Sequence, residues 1–292
     1  MKRLMWMIIL CSLAGVHAQA AQRYAVTGMV LKVDRPHRTM LVSCNSIPGY
    51  MEAMAMPFTV LEAKMLDGLQ PGTTIEFTLV LEKDSSHVEE VHVRPFESLE
   101  LDPTQARRLK LLETMVTPPS PATSVLNVGQ PVPDFTLTDQ NRRLVTLSQL
   151  AGKVVAVNFI YTRCPFPDYC FRLSNNFGQL QKRFGKRMGR DLVLLSVVID
   201  PAHDGPAALT KYASVWKANP EAWHFLTGSL PEIQQLCRKF DMNFYPDEAV
   251  LVHSFHTVVI DRHTKLAANI EGNDFTPEQL GDLVETLLDK KN

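Results

Sequence analysis

Residues 154–170 read VVAVNFIYTRCPFPDYC, and the second half of the chain is organised around them. The first seven residues are apolar and rich in β-branched side chains, which is typical of a buried strand. A loop with two cysteines and two prolines follows, and residues 171–184 then show the apolar spacing of an amphipathic helix. Because the loop joins a strand to a helix, we expect it at the carboxyl edge of an α/β sheet, where such folds bind ligands.

The composition indicates a globular protein. With 292 residues the chain is long enough for two domains of roughly 100–200 residues each. Its hydrophobic fraction of 45% and its charged fraction of 21% are ordinary for such proteins. A formal net charge of −1 argues against a nucleic-acid-binding protein, which usually carries a basic excess.

Residues 1–20 have the pattern of a secretory signal peptide. A basic start precedes an apolar run at residues 4–16, which is short for a membrane span, and small residues follow. We therefore expect a periplasmic, exported protein; the alternative is an uncleaved segment that anchors it in the membrane, facing the periplasm. Free thiols in an oxidising compartment need a reason to persist. The mature chain has four cysteines: Cys44, Cys164, Cys170 and Cys237.

The first domain is expected at residues 22–98 and is predicted to be all β. Apolar and polar residues alternate in short segments separated by turn residues, which is typical of a small barrel or sandwich; an OB-like barrel is what the resemblance described below implies. The predicted strands cover residues 24–33, 39–44, 73–81 and 88–93. A possible helix and a proline-rich linker follow at residues 99–125.

The second domain, at residues 126–292, alternates strand and helix patterns, which predicts an α/β fold. The predicted strands cover residues 154–160, 192–199, 223–226 and 252–260, and the predicted helices cover residues 171–184, 205–216, 231–240 and 277–288. The last helix has a strong start signal, with Thr276 as the cap, Pro277 at its first position and Gln279 reaching back.

Cys164 and Cys170 are separated by five residues, whereas two residues separate the cysteines of the thioredoxin motif. The wider loop leaves room for an ion between two soft sulfur ligands, which select Cu(I); a structural disulfide is the alternative. His253 and His256 are candidate third ligands. On an unbroken strand these two residues face opposite sides of the sheet, so at most one of them joins the site.

An ordered set of motifs in this domain resembles the Sco/SenC copper-chaperone family. The resemblance spans roughly residues 127–290 and rests on residues 158–162 (NFIYT), Cys164-Pro165, Cys170, residues 199–201 (IDP), residues 223–228 (WHFLTG) and His253-Ser254. It implies a thioredoxin-like fold in which Cys164, Cys170 and His253 bind one copper ion. It also implies a partner, the copper-centre subunit of cytochrome oxidase or another copper protein, which receives copper or has its cysteines reduced.

Two departures from the family pattern leave the balance between copper holding and dithiol exchange open. The usual spacing is three residues between the cysteines, and Phe171 stands where a proline is usual. Tyr161, Asp168 and Asp200 are candidates for outer contacts that orient the ligands, although Asp168 is also a plausible helix cap and Asp200 a turn residue. Cys237 lies at helical spacing on an apolar face and is predicted to be a buried thiol.

Residues 44–58 hold three of the chain's twelve methionines within six positions. Met54 and Met56 share one face of an extended strand, and thioethers suit Cu(I); core packing is the alternative. The order of residues resembles the periplasmic copper-binding CusF-like domain over about residues 24–94. That resemblance implies a Cu(I) site with Met54 and Met56 as ligands, Cys44 in place of the family's histidine and Met51 near the position of its aromatic ring.

The leading interpretation is therefore an exported copper metallochaperone. The enzymatic alternative is a thiol–disulfide oxidoreductase in which Cys164 is the attacking thiol. A copper-resistance or redox-sensing protein is a further alternative, since soft sites in both domains would also serve to buffer copper. His253 separates the first two interpretations, because copper binding needs it and dithiol exchange does not.

Overall fold

The computed structural model describes residues 21–83, 85–96, 125–247 and 250–290. The predicted signal peptide at residues 1–20 and nearly all of the predicted helix and linker at residues 99–125 lie outside these ranges. Within them, the chain forms no helix that is both long and apolar enough to cross a membrane.

The N-terminal unit is a five-stranded antiparallel sheet in the order β3-β2-β1-β4-β5. Its strands are β1 (Gln22–Asp34), β2 (Thr39–Cys44), β3 (Met54–Thr59), β4 (Thr74–Leu81) and β5 (Ser86–Val93). Val60, directly after β3, forms a parallel bridge with Val88 of β5, which brings the two edges of the sheet together as in a small barrel. The all-β prediction is confirmed, and β3, in the methionine-rich stretch, adds a strand to the four predicted ones.

The C-terminal unit is an α/β domain around a second five-stranded sheet, in the order β10-β9-β8-β13-β14. Its strands are β6 (Thr136–Thr138), β7 (Leu144–Thr146), β8 (Val154–Ile160), β9 (Leu192–Val198), β10 (Trp223–Leu226), β11 (Phe244–Asp247), β12 (Val250–His253), β13 (His256–Ile260) and β14 (Leu266–Glu271). Its helices are α1 (Arg172–Phe184), α2 (Pro206–Val215), α3 (Leu230–Lys239) and α4 (Pro277–Leu288). Strands β8, β9 and β10 run parallel, whereas β13 is antiparallel to both of its neighbours.

The start of α4 has the predicted cap. The hydroxyl of Thr276 accepts a hydrogen bond from the Gln279 backbone N–H at 3.1 Å, and the Gln279 side chain accepts one from the Thr276 N–H at 3.0 Å. Pro277 occupies the first turn, where its missing N–H has no helical partner to lose.

The single strand predicted at residues 252–260 is wrong. β12 ends at His253 and pairs with β11, whereas β13 begins at His256 and lies in the central sheet. The chain bends between them because Ser254 is pinned to Asn243: the Ser254 N–H donates to the Asn243 carbonyl at 2.9 Å, and the Asn243 N–H donates to the Ser254 hydroxyl at 2.9 Å. His253 and His256 therefore lie on different strands, and strand parity does not decide which sides they face.

The outer face of the N-terminal sheet packs against α4. The Ser43 hydroxyl donates to Asp282 at 2.6 Å, and the Gln279 amide donates to the Ser43 carbonyl at 3.2 Å. Met29 and Leu31 of β1 belong to the apolar core of the C-terminal unit. The two units therefore share buried apolar surface as well as hydrogen bonds.

Candidate dithiol and metal site

The two cysteines lie where a fully buried central strand meets a helix. Every residue of β8 is buried, and the chain leaves the sheet after Ile160. Residues Pro167–Phe171 form one wide turn of π-helical type that is kinked at Tyr169, and α1 begins at Arg172. Cys164 lies on the loop and is half-buried, whereas Cys170 lies in the turn and is 1% exposed. The loop therefore presents one accessible sulfur and one buried sulfur.

Both cysteines are free thiols, and they differ strongly in acidity. The hydrogen bond that the Cys170 thiol donates to Cys164 lowers the pKa of Cys164 to about 6, because it stabilises the thiolate. The same hydrogen bond, together with burial, raises the pKa of Cys170 well above its usual range. Near neutral pH the pair consists of a Cys164 thiolate beside a protonated Cys170.

Tyr161 lies between the cysteines and His253. Its side chain is buried, and burial, followed by the neighbouring Cys164, raises the pKa of its phenol well above the usual range. Its ring meets the His253 ring edge to face, with the centroids 6.1 Å apart. Of the three predicted outer-contact residues, Tyr161 is therefore the one that lies beside both Cys164 and the imidazole.

His253 has the protonation state that a metal ligand needs. It is 6% exposed, and burial lowers the pKa of its imidazole to about 4, so the ring is neutral. Its Nδ1 lies 2.8 Å from the Ser254 carbonyl oxygen and donates to it, which leaves the lone pair of Nε2 available. The Nδ1 of His256 likewise lies 3.0 Å from an oxygen, that of the Asn269 amide, but His256 lies in β13, and it is the His253 ring that meets Tyr161.

The structure brings Cys164 and Cys170 together. The ring of Tyr161, beside Cys164, lies next to the His253 ring. Within the described ranges, no three His, Cys, Asp or Glu side chains lie close enough together to hold a metal ion. The donor set itself, a thiolate, a thiol and a neutral imidazole, suits copper. The candidate ligands thus have the right chemistry, but they are not assembled around one point.

The other two predicted outer-contact residues are Asp200, which pairs with two side chains, and Asp168, which is held through its backbone carbonyl. Asp200 accepts hydrogen bonds from Arg163 at 2.6 Å and from His203 at 2.9 Å, so it braces the residue before Cys164. The Asp168 carbonyl accepts a hydrogen bond from the Asn273 amide at 2.6 Å, which ties the cysteine turn to the segment before α4.

Asp204 is a supporting residue that the sequence analysis missed. Its side chain is 0% exposed, and its carboxylate accepts the Thr162 N–H at 2.9 Å as well as the Thr162 hydroxyl. These bonds fix the backbone two residues before Cys164. An aspartate in a polar loop carries no sequence signal for this contact, since its partner lies 42 residues earlier in the chain.

We expect Asp204→Ala to lower the free energy of unfolding by about 2 kcal/mol, because it leaves a buried N–H and a hydroxyl without their charged acceptor. Urea unfolding of the reduced protein at pH 7 measures this loss. Asp200→Ala is the matched control, and its loss should be smaller, since its partners Arg163 and His203 are solvent-exposed. Equal losses for the two variants would contradict the role given to Asp204.

The candidate soft ligands of the N-terminal unit lie on one face of the sheet. Met54 pairs directly with Cys44, and Met56 with Val42, so their side chains point to the same side as the buried core. Met54 is 52% exposed, whereas Met56 and Met51 are half-buried and pack on that core. Burial raises the pKa of Cys44 to about 12, so this sulfur is a protonated thiol.

Cys237 lies in the core of the C-terminal unit and is 1% exposed. The prediction of a buried thiol is confirmed.

The fold and the cysteine pair define a class: a thioredoxin-like domain with two free cysteines beside each other, preceded by a small β domain. Residues 126–289 match the family model described as SCO1/SenC, and this match covers more than half of the chain. The chain belongs to the SCO1/SenC family. Residues 23–93 match a second family model, described as the copper binding periplasmic protein CusF.

Individual relatives agree with this assignment. The SCO1 protein homolog of Bacillus subtilis is 33% identical over 109 residues, which are 37% of this chain and 55% of that protein. A putative copper-binding protein of Stutzerimonas stutzeri is 28% identical over 118 residues, covering 39% of this chain and 54% of that protein. The chain thus spans about half the length of these two curated relatives.

A solved structure supports the fold. The SCO1/SenC family lipoprotein of Bacillus anthracis has a TM-score of 0.50 and is 23% identical, and the match covers 56% of this chain and 99% of that one. At this level of identity the similarity concerns the fold of the C-terminal unit.

Proposed function

We propose that the protein is an exported copper metallochaperone. It takes up copper at Cys164, Cys170 and His253 and delivers it to the copper centre of cytochrome c oxidase, or prepares that centre. The observation that carries the proposal is that a Cys164 thiolate and a neutral, tautomerically fixed His253 both lie beside Tyr161 in a member of the SCO1/SenC family. Export rests on the pattern of residues 1–20 and on the periplasmic protein named by the N-terminal match.

Copper is the cargo of this site, and its uptake is coupled to protons. Cys164 is already ionised near neutral pH, whereas Cys170 releases its proton when it becomes a ligand. Protons do not compete for the imidazole, because the pKa of His253 is about 4. Two thiolates favour Cu(I), and the added imidazole makes Cu(II) acceptable as well.

The N-terminal unit supplies a second soft site in this proposal. Met54, Met56 and Cys44 share one face of the sheet, and the half-exposed Met54 gives copper a way in. Thioethers remain competent ligands in an oxidising compartment, where thiols are at risk. Met51 completes the candidate set.

Thiol–disulfide exchange is the second candidate function, and the unequal acidity of the cysteines favours it. The Cys164 thiolate attacks a disulfide of the target protein, which forms a mixed disulfide and releases the target's first thiolate. Cys170 then loses its proton and attacks the Cys164 sulfur. The target leaves fully reduced, and the two cysteines form an internal disulfide that an external thiol must reduce.

Copper stoichiometry of the reduced protein tests the proposal. We expect about two copper ions per chain, one lost in Cys164→Ala/Cys170→Ala and the other in Met54→Leu/Met56→Leu, because the sites use separate donors. Titration with a competing Cu(I) chelator measures both. The matched control is Cys237→Ala, which removes a buried thiol outside either site. Full copper loading of the double-cysteine variant would exclude the metal site and leave the oxidoreductase.

A further inference from the structure

One phenylalanine contacts both the proposed imidazole ligand and the cysteine turn. Phe255 lies in the bend between β12 and β13 and is 6% exposed. Its ring centroid is 4.7 Å from that of His253 and 4.8 Å from that of Tyr169. Tyr169 directly precedes Cys170. The Phe255 ring therefore contacts both the imidazole and the residue that precedes the second cysteine.

The other side of this ring is covered by the N-terminal unit. Phe96, three residues after the end of β5, meets Phe255 edge to face with the centroids 5.9 Å apart. Phe96 also lies against Gly272, where an added Cβ would collide with its ring. Gly272 has a φ of +88° and donates its N–H to the Phe255 carbonyl at 2.9 Å. Gly272 thus both leaves room for the Phe96 ring and donates a hydrogen bond to the bend that follows His253.

Hydrogen bonds and side-chain packing together hold the bend. Ser254 and Phe255 belong to neither of the flanking strands, and their backbone is held by hydrogen bonds such as that from the Ser254 N–H to Asn243. The His253 ring lies against the rings of Tyr161 and Phe255, so these side chains contribute to the position of the imidazole.

We infer that Phe96 and Phe255 are positioning residues, through which the N-terminal unit sets the place of His253 relative to Cys164 and Cys170. The inference rests on the proposed copper site and goes beyond it, because it assigns the first unit a role in the affinity of the second. Contacts that orient a metal-binding histidine are typically worth 10–100-fold in metal affinity. The N-terminal unit then helps to shape the C-terminal copper site, in addition to carrying a candidate copper site of its own.

Phe96→Ala in the full chain tests this inference. We expect about tenfold weaker Cu(II) binding at the C-terminal site and a shifted thiolate-to-copper absorption band. The reason is that Phe255, which packs against the imidazole, loses its own contact with the Phe96 ring. Phe96→Tyr should restore both, because it retains the aromatic ring. In the copper-free protein, the side-chain NMR signals of His253 should move in Phe96→Ala and return in Phe96→Tyr.

Ser43→Ala is the matched control, because it removes a hydrogen bond between the same two units at a point away from the aromatic rings. An equal loss of Cu(II) affinity in Ser43→Ala would overturn the inference, since general docking would then explain the effect. Unchanged His253 signals in Phe96→Ala would overturn it as well. The copper-free measurement also separates the two ideas: if the wild-type site binds no copper, the proposed function fails while the NMR result still decides the role of Phe96.

Discussion

His253→Ala is expected to weaken Cu(II) binding at the C-terminal site by about 100-fold or more, because it removes the only proposed nitrogen donor. The fixed tautomer of this ring, with Nδ1 bonded to Ser254, leaves Nε2 as the donor atom. Dithiol exchange should continue at the wild-type rate, since neither sulfur uses the imidazole. Cu(II) titration followed by absorption spectroscopy, alongside a disulfide-reduction assay, measures both properties on one preparation.

The matched control for this experiment is His256→Ala. His256 is as buried as His253 and lies three residues away, but it lies in β13, whereas the His253 ring meets Tyr161 beside Cys164. We expect His256→Ala to keep its Cu(II) affinity. Wild-type copper binding in His253→Ala would show that the third ligand is wrong, and the oxidoreductase would become the better account of the two cysteines.

Cys170→Ala is expected to raise the pKa of Cys164 from about 6 towards the ordinary thiol value of about 8.5. The low value depends first on the hydrogen bond from the Cys170 thiol, and alanine has no donor to replace it. A thiolate with a lowered pKa is present above that pKa and is lost as the pH falls through it. The ultraviolet absorbance of the thiolate should therefore appear about two pH units higher in the variant than in the wild type.

The measurement reports on Cys164 because the other thiols ionise at higher pH. Burial raises the pKa of Cys44 to about 12, and it raises the pKa of Cys237 further. Cys237→Ala is the control and should leave the midpoint unchanged, whereas Cys170→Ser retains a hydroxyl donor and should fall between wild type and Cys170→Ala. A midpoint that stays near 6 in Cys170→Ala would show that the hydrogen bond does not set the acidity of Cys164.

The sequence by itself determined the two fold classes and singled out the candidate site residues. Apolar periodicity is a local property, so it located β8, the amphipathic α1 and the cap of α4 without reference to the rest of the chain. The alternation of the first unit did the same for four of its five strands. Soft donors behind a predicted signal peptide, and the order of the motifs around them, then indicated copper.

Only the tertiary structure decided how those residues are arranged, because each arrangement depends on contacts between distant parts of the chain. The bend at Ser254 requires its hydrogen-bond partner Asn243. The backbone at Thr162 is held by Asp204. Phe255 packs against Phe96, which follows the strands of the N-terminal unit. The division of acidity between two chemically identical thiols likewise follows from burial and from one hydrogen bond between them. Residue spacing does not encode burial or direction, so these features became visible only once the chain was folded.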